Sequence, residues 1–378
     1  MTVITEDQQM IQDMARSFAR DVLAPGAAAR DKSKVIEPEV LAQMGELGFL
    51  GMTVPEDLGG VGADYVSYAL ALMEIAAGDG AISTVMSVHN APFNAILQRY
   101  ASPEQQEQVL RPATQGKFIG AFALTEPHAG SDASAIRTRA RRDGDDYVIN
   151  GEKAFITSGK IGEWAVVFAR MEGSGGKTGI TAFLVRTDNP GYHVASVEEK
   201  LGQRCSDTCA LRFEEMRVPA GMRIGEEGEG YRIALSSLET GRIGIASQSV
   251  GMAQAALDMA VEYAKDRQSF GQPLIAHQAV GFRLADARTQ LEAARQLVLN
   301  AARMKDAGIP CLTEAAMAKL FASEAAERII SDAIQTFGGY GYMQDFAVER
   351  IYRDARVCQI YEGTSDIQKL IITRALAG

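Results

Sequence analysis

The chain has 378 residues, a formal net charge of -10 and a pI near 5.1; that length supplies more than one core, and the acidic balance leaves no basic surplus for a nucleic-acid or anionic-membrane partner. Hydrophobic residues make up 47% of it, too many for disorder, and no apolar run is long enough to span a bilayer. Cys205, Cys209, Cys311 and Cys358 are too scattered for a disulfide framework, and His89, His128, His193 and His277 hold no i, i+4 pair, so no metal site is expected.

Residues 1–7 carry acid early and lack a basic region followed by an apolar run, unlike a secretory or transit leader. A bacterial cytoplasmic protein fits, as does a processed chain of the mitochondrial matrix. Residues 1–118 then read as helical. A capping box at Thr5 and Gln8 opens an apolar stripe of Ile11, Ala15, Phe18 and Val22, and Ser102-Pro103-Glu104-Gln105 repeats the start signal. Between them, the glycines of residues 54–62 suggest a phosphate cradle but lack the Lys-Ser/Thr ending of one, so a structural loop is expected.

From 119 to 225 the texture is β. Asn150-Gly151 between Tyr147-Val148-Ile149 and Ala154-Phe155-Ile156 predicts a hairpin, residues 165–168 and 180–185 predict strands, and residues 211–213 precede a stop at Val218-Pro219. From 226 to 378 the helical period returns. Ile243, Ala246, Val250, Ala253, Leu257 and Ala260 make one stripe, and Val280, Leu284, Ala287, Leu291, Ala294, Val298 and Ala301 a second. A third helix is predicted from Thr313 to about Phe337, giving an antiparallel bundle.

Near the C-terminus Glu362 is a lone carboxylate between Tyr361 and Gly363 in an apolar stretch. Low polarity resists ionisation and lifts a carboxyl pKa toward neutrality, which suits a general base; the residues alone equally allow a buried, paired structural carboxylate. The helix position Arg242 reads equally as a functional cation or as half of a structural ion pair.

Five segments in order resemble the acyl-CoA dehydrogenase family: residues 121–132, residues 150–157, residues 267–271, residues 335–341 and residues 361–364. The resemblance covers nearly the whole chain. It implies an α+β fold with an N-terminal helical domain (1–118), a middle β-barrel domain (119–225) and a C-terminal four-helix bundle domain (226–378). It further implies a homotetramer, a dimer of dimers, with one FAD per subunit near a subunit interface. By matching position, Phe122, Leu124, Thr125, Gly130 and Ser131 contact flavin, with Phe155, Ile156 and Thr157 across the ring. Arg267, Ser269, Phe270, His277, Gln278, Gln335, Gly338 and Gly339 reach the pyrophosphate and adenine, and Thr364 and Asp366 complete the cofactor site. Ser131, Glu239, Arg242, Tyr361 and Gly363 match substrate contacts.

The implied reaction is α,β-dehydrogenation of a saturated acyl-CoA to the trans-2-enoyl-CoA in fatty-acid or branched-chain amino-acid catabolism. Glu362 would take the α-proton, flavin N5 the β-hydride, and an electron-transfer flavoprotein the electrons. Some relatives carry the base just before the arginine matched by Arg242; here that residue is Gly241, which leaves Glu362 as the candidate. Phe155 stands where many members have tryptophan, and His128 replaces a small residue and is expected to face solvent. Residues 241–248 look like short-chain members and residues 202–208 like medium-chain ones, so short or branched-short substrates are expected. The alternatives are an oxygen-reducing acyl-CoA oxidase-like flavoenzyme and a non-catalytic DNA-binding or scaffold member.

Overall fold

The computed structural model describes residues 4–378; residues 1–3, part of the stretch read for a leader, lie outside them. Helix α1 (Glu6–Phe18) starts as its sequence requires. The Thr5 hydroxyl accepts from the Gln8 N–H at 3.2 Å, and the Gln8 side-chain oxygen accepts from the Thr5 N–H at 3.0 Å. Helices α2 (Ala24–Ser33), α3 (Pro38–Glu46), α4 (Tyr65–Gly78), α5 (Gly80–Val88), α6 (Ala95–Tyr100), α7 (Pro103–Gln105) and α8 (Arg111–Thr114) follow. Helix α4 is apolar nearly all round because it is buried against both the N-terminal helices and the C-terminal bundle. The glycine-rich loop is structural, as expected: a Cβ on Gly60 would sit 2.1 Å from the Val54 carbonyl oxygen.

Strands β1 (Gly120–Ala123), β2 (Arg139–Asp143), β3 (Asp146–Thr157), β4 (Trp164–Met171), β5 (Ile180–Arg186), β6 (Tyr192–Val197), β7 (Thr208–Pro219) and β8 (Arg223–Ile224) form one sheet. Its order is β6-β7-β3-β2-β4-β5-β8, with β1 paired parallel to β4. The sheet curls round an inner core to which seven of these strands contribute, and Tyr147 of β3 meets Phe183 of β5 at 4.9 Å across it. The pairing path nevertheless has two ends, β6 and β8, so hydrogen bonding does not close the barrel. Strand β4 is a continuous apolar run because it is buried on both faces. Ala165, Val167 and Ala169 face the inner core, while Trp164, Val166 and Phe168 pack on Phe93, Ile96 and Leu97 of the N-terminal helices.

The predicted hairpin at Asn150-Gly151 is not there: β3 runs straight through it, and the reversal lies at Gly144-Asp145, between the paired Asp143 and Asp146. Asn150-Gly151 instead marks a register shift against β7. The Asn150 amide bonds Glu215 twice, at 2.8 Å each, and Gly151 passes so close that a Cβ would be 2.6 Å from Thr138. A bulge draws on the same small or self-bonding residues as a tight turn, which is why the two signals coincide. Strand β7 likewise continues through residues 211–213 and ends at Pro219.

The chain closes with α9 (Gly230–Asp266), a short hairpin of β9 (Gln268–Ser269) and β10 (Gln272–Pro273), then α10 (Gln278–Asp306), α11 (Leu312–Phe337), α12 (Val348–Ala355) and α13 (Ser365–Ala377). The two predicted stripes on α9 and α10 enter one core with Ile329, Ile330 and Ala333 of α11, with Val280 at its edge. Small residues let the helices approach closely. A Cβ on Gly251 of α9 would lie 2.0 Å from the Met73 backbone oxygen of α4. Because that neighbour is backbone, Gly251→Ala is expected to cost about 1–3 kcal/mol through overpacking despite the better helix propensity of alanine, and to lower Tm in scanning calorimetry.

Candidate active site

Glu362 sits on the turn between a 3-10 segment, Arg356–Gln359, and α13. The turn is left-handed at two successive residues, Glu362 at φ 53° and Gly363 at φ 87°. Glycine adopts this freely, but a side-chain-bearing residue held there costs roughly 1–2 kcal/mol. Two buried donors hold the turn. The Gly363 carbonyl accepts from Lys319 Nζ of α11 at 2.7 Å and from Gln368 Nε2 at 2.7 Å, and Gln368 Nε2 also reaches the Glu362 carbonyl at 3.4 Å. Thr364 is the N-cap of α13, its hydroxyl accepting from the Ile367 N–H at 3.4 Å, and Asp366 lies exposed in the first turn.

The Glu362 carboxylate is turned inward, and its Oε2 is buried without a hydrogen-bond partner. It lies over Gly241 of α9, where a Cβ would be 2.6 Å from Oε2. Burial pushes the Glu362 carboxyl up to about 7, against the opposing pull of Arg242 and Lys319. Arg242 is itself buried, its Nε has no partner, and it makes no ion pair among the described residues, so the structural-pair reading of Arg242 fails. Glu239 is paired instead, to Lys305 of α10 at 2.7 Å.

Tyr361 points the other way. Its hydroxyl donates to Gln248 Oε1 at 3.0 Å and lies 3.3 Å from Thr84 Oγ1, while Gln203 Nε2 of the β6–β7 connection reaches it at 3.4 Å. Gln248 Nε2 in turn donates to Ser83 and Thr84 of α5, at 2.7 and 2.9 Å. Three parts of the chain therefore meet directly behind the glutamate. Beside Thr240, on the helix face that carries Gly241, a cavity of about 290 Å³ is lined by Tyr65, Gln98, Arg99, Ser236, Ser237 and Lys305.

The motifs at 121–132 and 150–157 are neighbours in space. The Ala154 N–H donates to the Thr125 carbonyl at 2.9 Å and Lys153 Nζ to the Leu124 carbonyl at 3.0 Å. A buried ion pair fixes this junction: Lys153 Nζ lies 2.8 Å from Glu126, whose carboxylate also accepts from the N–H groups of Arg137 and Thr138. Phe155 is 67% exposed at φ 59°, whereas Ile156 turns its side chain into the inner core of the sheet, leaving only its backbone for a ligand. Thr157 ends β3 half-buried, Phe122 packs edge-on to Phe168 at 5.2 Å, and Gly130 and Ser131 are exposed. His128 stands at the surface, 3.6 Å from Glu126.

Arg267, Ser269, Phe270, His277 and Gln278 form a second group on and around the β9–β10 hairpin, where His277 Nε2 lies 3.1 Å from the Ser269 hydroxyl. Gln335, Gly338 and Gly339, at the end of α11, lie at the same end of the bundle, since Phe337 stacks on Tyr263 at 4.3 Å. No hydrogen bond or ring contact among the described residues joins this group to the one around Phe155.

These residues fit a flavin dinucleotide. Phe155 offers an unpartnered aromatic face, Arg267 makes no ion pair among the described residues, and a Cβ on Gly130, Gly338 or Gly339 would meet nothing within 4 Å. Three of the non-glycine residues with positive φ, namely Phe155, Phe270 and Glu362, fall in predicted site motifs, a pattern typical of functional sites. Lys319, Gln203 and Gln368 were not legible as site residues. A lysine within an alanine-rich helix and glutamines in ordinary polar positions carry no local signal.

Gly241→Ala is expected to push the Glu362 carboxylate off its seat and to slow any proton transfer it performs by roughly ten- to a hundredfold. Tm should hold or rise, because alanine favours the helix; paired turnover and melting measurements check both.

Three family models match along the chain: Acyl-CoA dehydrogenase, N-terminal domain over residues 5–117, middle domain over residues 121–216, and C-terminal domain over residues 228–377. The mitochondrial short-chain specific acyl-CoA dehydrogenase of Rattus norvegicus is 47% identical over 98% of this chain and 90% of its own. Butyryl-CoA dehydrogenase from Megasphaera elsdenii matches with a TM-score of 0.97 at 40% identity, covering 100% of both chains. A chain solved in work on the electron transferring flavoprotein of Acidaminococcus fermentans matches with a TM-score of 0.97 at 44% identity, over 100% of this chain and 99% of that one.

Proposed function

Because the chain belongs to the acyl-CoA dehydrogenase family of flavin-dependent oxidoreductases, we propose that it converts a short saturated acyl-CoA to the trans-2-enoyl-CoA with Glu362 as the base. The observation that carries this reading is the Glu362 carboxylate itself, turned inward with its Oε2 buried and unpartnered among the described residues, and pushed up to about 7. An α-proton beside a thioester is only weakly acidic, so the base must be desolvated and aimed before it transfers. Glu362 takes that proton onto its carboxylate. Its backbone N–H, which has no protein acceptor among the described residues, is free to bind the thioester oxygen and favour charge developing there. FAD, when bound, supplies the acceptor for the β-hydrogen and its electron pair.

Phe122, Leu124, Thr125, Gly130, Ser131 and residues 155–157 would hold the isoalloxazine end, with Thr364 and Asp366 close to the base turn. The group from Arg267 to Gln278, with Gln335, Gly338 and Gly339, would hold the adenine end. That no hydrogen bond or ring contact among the described residues joins these two groups supports a homotetramer in which a second subunit completes each site. Phe270, at 98% exposed, and Tyr342, at 83%, give such an interface apolar surface. Glu239, Arg242, Gly363 and the cavity beside Thr240 would receive the substrate. Tyr361 supports it from behind.

The short-chain preference rests on the relatives named for short substrates and on the polar cluster of Gln248, Ser83, Thr84 and Tyr361. Gln248 lies two turns along α9 from Gly241, on the same face. A long chain extending past Glu362 would have to bury methylenes against these paired groups. Electrons would pass to an electron-transferring flavoprotein, in keeping with the Acidaminococcus match.

Anaerobic titration of the holoenzyme with straight-chain acyl-CoAs from butyryl-CoA upward should bleach the flavin absorbance, most completely with the shortest. Failure to bleach with any of them would remove the reading, and rapid stoichiometric peroxide on admitting air would replace the flavoprotein acceptor with oxygen. Glu362→Gln should lose turnover by roughly 10²–10⁴-fold while keeping FAD.

The pH dependence has a definite sign. The base works ionised, so turnover should fall as pH drops through about 7. The folded carboxyl lies above its unfolded value of 4.5, so the fold favours the protonated form, and that stabilisation is lost as pH rises through about 7. Above that pH Glu362→Gln should therefore melt no lower than the wild type.

A further inference from the structure

We propose that Lys319 is a positioning residue for this reaction, its buried ammonium clamping the Gly363 carbonyl and thereby aiming the Glu362 carboxylate and holding it ionised. The proposal rests on the reading of Glu362 as base. Lys319 is 0% exposed in the first third of α11, a helix whose other buried residues are all uncharged, mostly alanine and isoleucine. A lysine so placed gives up its hydration, and its one hydrogen-bond acceptor among the described residues is the Gly363 carbonyl at 2.7 Å. It has no carboxylate within ion-pairing distance there. The acceptor is not an arbitrary carbonyl. It belongs to the second of the two left-handed residues whose twist sends Glu362 inward, and Gln368 binds the same oxygen from α13. Two donors on one oxygen fix the Gly363–Thr364 peptide plane, one residue past the glutamate.

The polar groups facing the base come from three helices. Arg242 projects from α9, Lys319 from α11, and the neutral Tyr68 hydroxyl from α4. Lys319 is faced by Cys358, by Glu362 and by Arg242. Burial lowers its ammonium to about 8, with the Cys358 thiol and Glu362 opposing and Arg242 adding to the fall. Two cations therefore oppose the desolvation of a single carboxylate. Removing one leaves Arg242 alone, and the carboxyl must then hold its proton to higher pH.

The test uses the holoenzyme in three variants. Lys319→Met deletes donor and charge, Lys319→Gln keeps a donor without charge, and Lys319→Arg keeps both. For each, kcat and KM are measured across pH with the acyl-CoA that the wild type turns over, alongside Tm. The acid limb of kcat should move up by about one pH unit in Met and Gln and stay in place in Arg, while KM changes little. Below the limb, kcat should fall roughly tenfold, and alkaline pH should restore Gln more fully than Met.

A lysine that only ties α11 to the turn would lower Tm and leave the acid limb where it is; that result overturns the proposal. So does an equal shift in Arg and Gln, or loss of bound FAD in all three. A wild type that never bleaches, or a Glu362→Gln variant that turns over normally, would instead remove the base reading before Lys319 comes into question.

Discussion

Burying Oε2 of the Glu362 carboxylate over Gly241, with no hydrogen bond to it among the described residues, creates a conflict that the surrounding structure has to contain. Raising a carboxyl from 4.5 to about 7 corresponds to a penalty on the order of 3 kcal/mol for holding it ionised. To this is added the left-handed backbone at the same residue. Neither could persist on a free loop, where the side chain would swing to water and the backbone would relax. Both persist because α9 offers a seat without a Cβ, while α11 and α13 each send a buried donor to the next carbonyl.

The same constraint explains why the three parts of the chain meet where they do. Gln203 of the β6–β7 connection, Thr84 of α5 and Gln248 of α9 converge on the Tyr361 hydroxyl beside Glu362, and Ser83 joins them through Gln248. Gln203 also donates through its backbone to the buried Asp354 of α12, and through its side chain to the Asp354 carbonyl at 3.1 Å. Burial lifts Asp354 to about 7, and the Gln203 N–H opposes that rise. A network whose members are mutually satisfied behaves as a rigid unit, since loosening one leaves others unpaired in a low-dielectric interior. The β6–β7 connection and the turn that carries Glu362 are thus joined by a polar bolt as well as by apolar packing.

Much of this was legible in the residues, for reasons that differ by element. The stripes on α9 and α10 follow directly from helical periodicity, because each faces one core. Glu362 stood out as a lone acid in an apolar stretch, with a base and a paired structural carboxylate equally open until its surroundings were seen. Asn150-Gly151 misled because a bulge and a tight turn recruit the same residues, and only the partner strand tells them apart. Closure of the sheet was beyond reach for a related reason: curling is set by which strands share a core, whereas closure needs pairing between the ends, and β6 and β8 lack it. Arg242 kept two meanings until its surroundings showed no acid in ion-pairing reach among the described residues. Ile156 sat in a binding motif, yet strand alternation sends its side chain to the core while Phe155 faces out.

Lys319 shows why the remainder was hidden. Within an alanine-rich helix a lysine ordinarily marks the solvent face, and nothing in the local pattern says that this one faces inward. Its meaning depends on a carbonyl 44 positions away along the chain, brought alongside only when α11 packs beneath the turn that precedes α13. A buried charge retained there makes sense where it serves something that a hydrophobic side chain of the same volume could not. Methionine would fill the space and remove the desolvation cost, but it would leave the Gly363 carbonyl one donor short and the carboxylate with one cation instead of two. On the proposed reading of Glu362, the lysine sits where an ionised, aimed carboxylate is needed, and a stability–activity compromise of this kind would be written into single side chains.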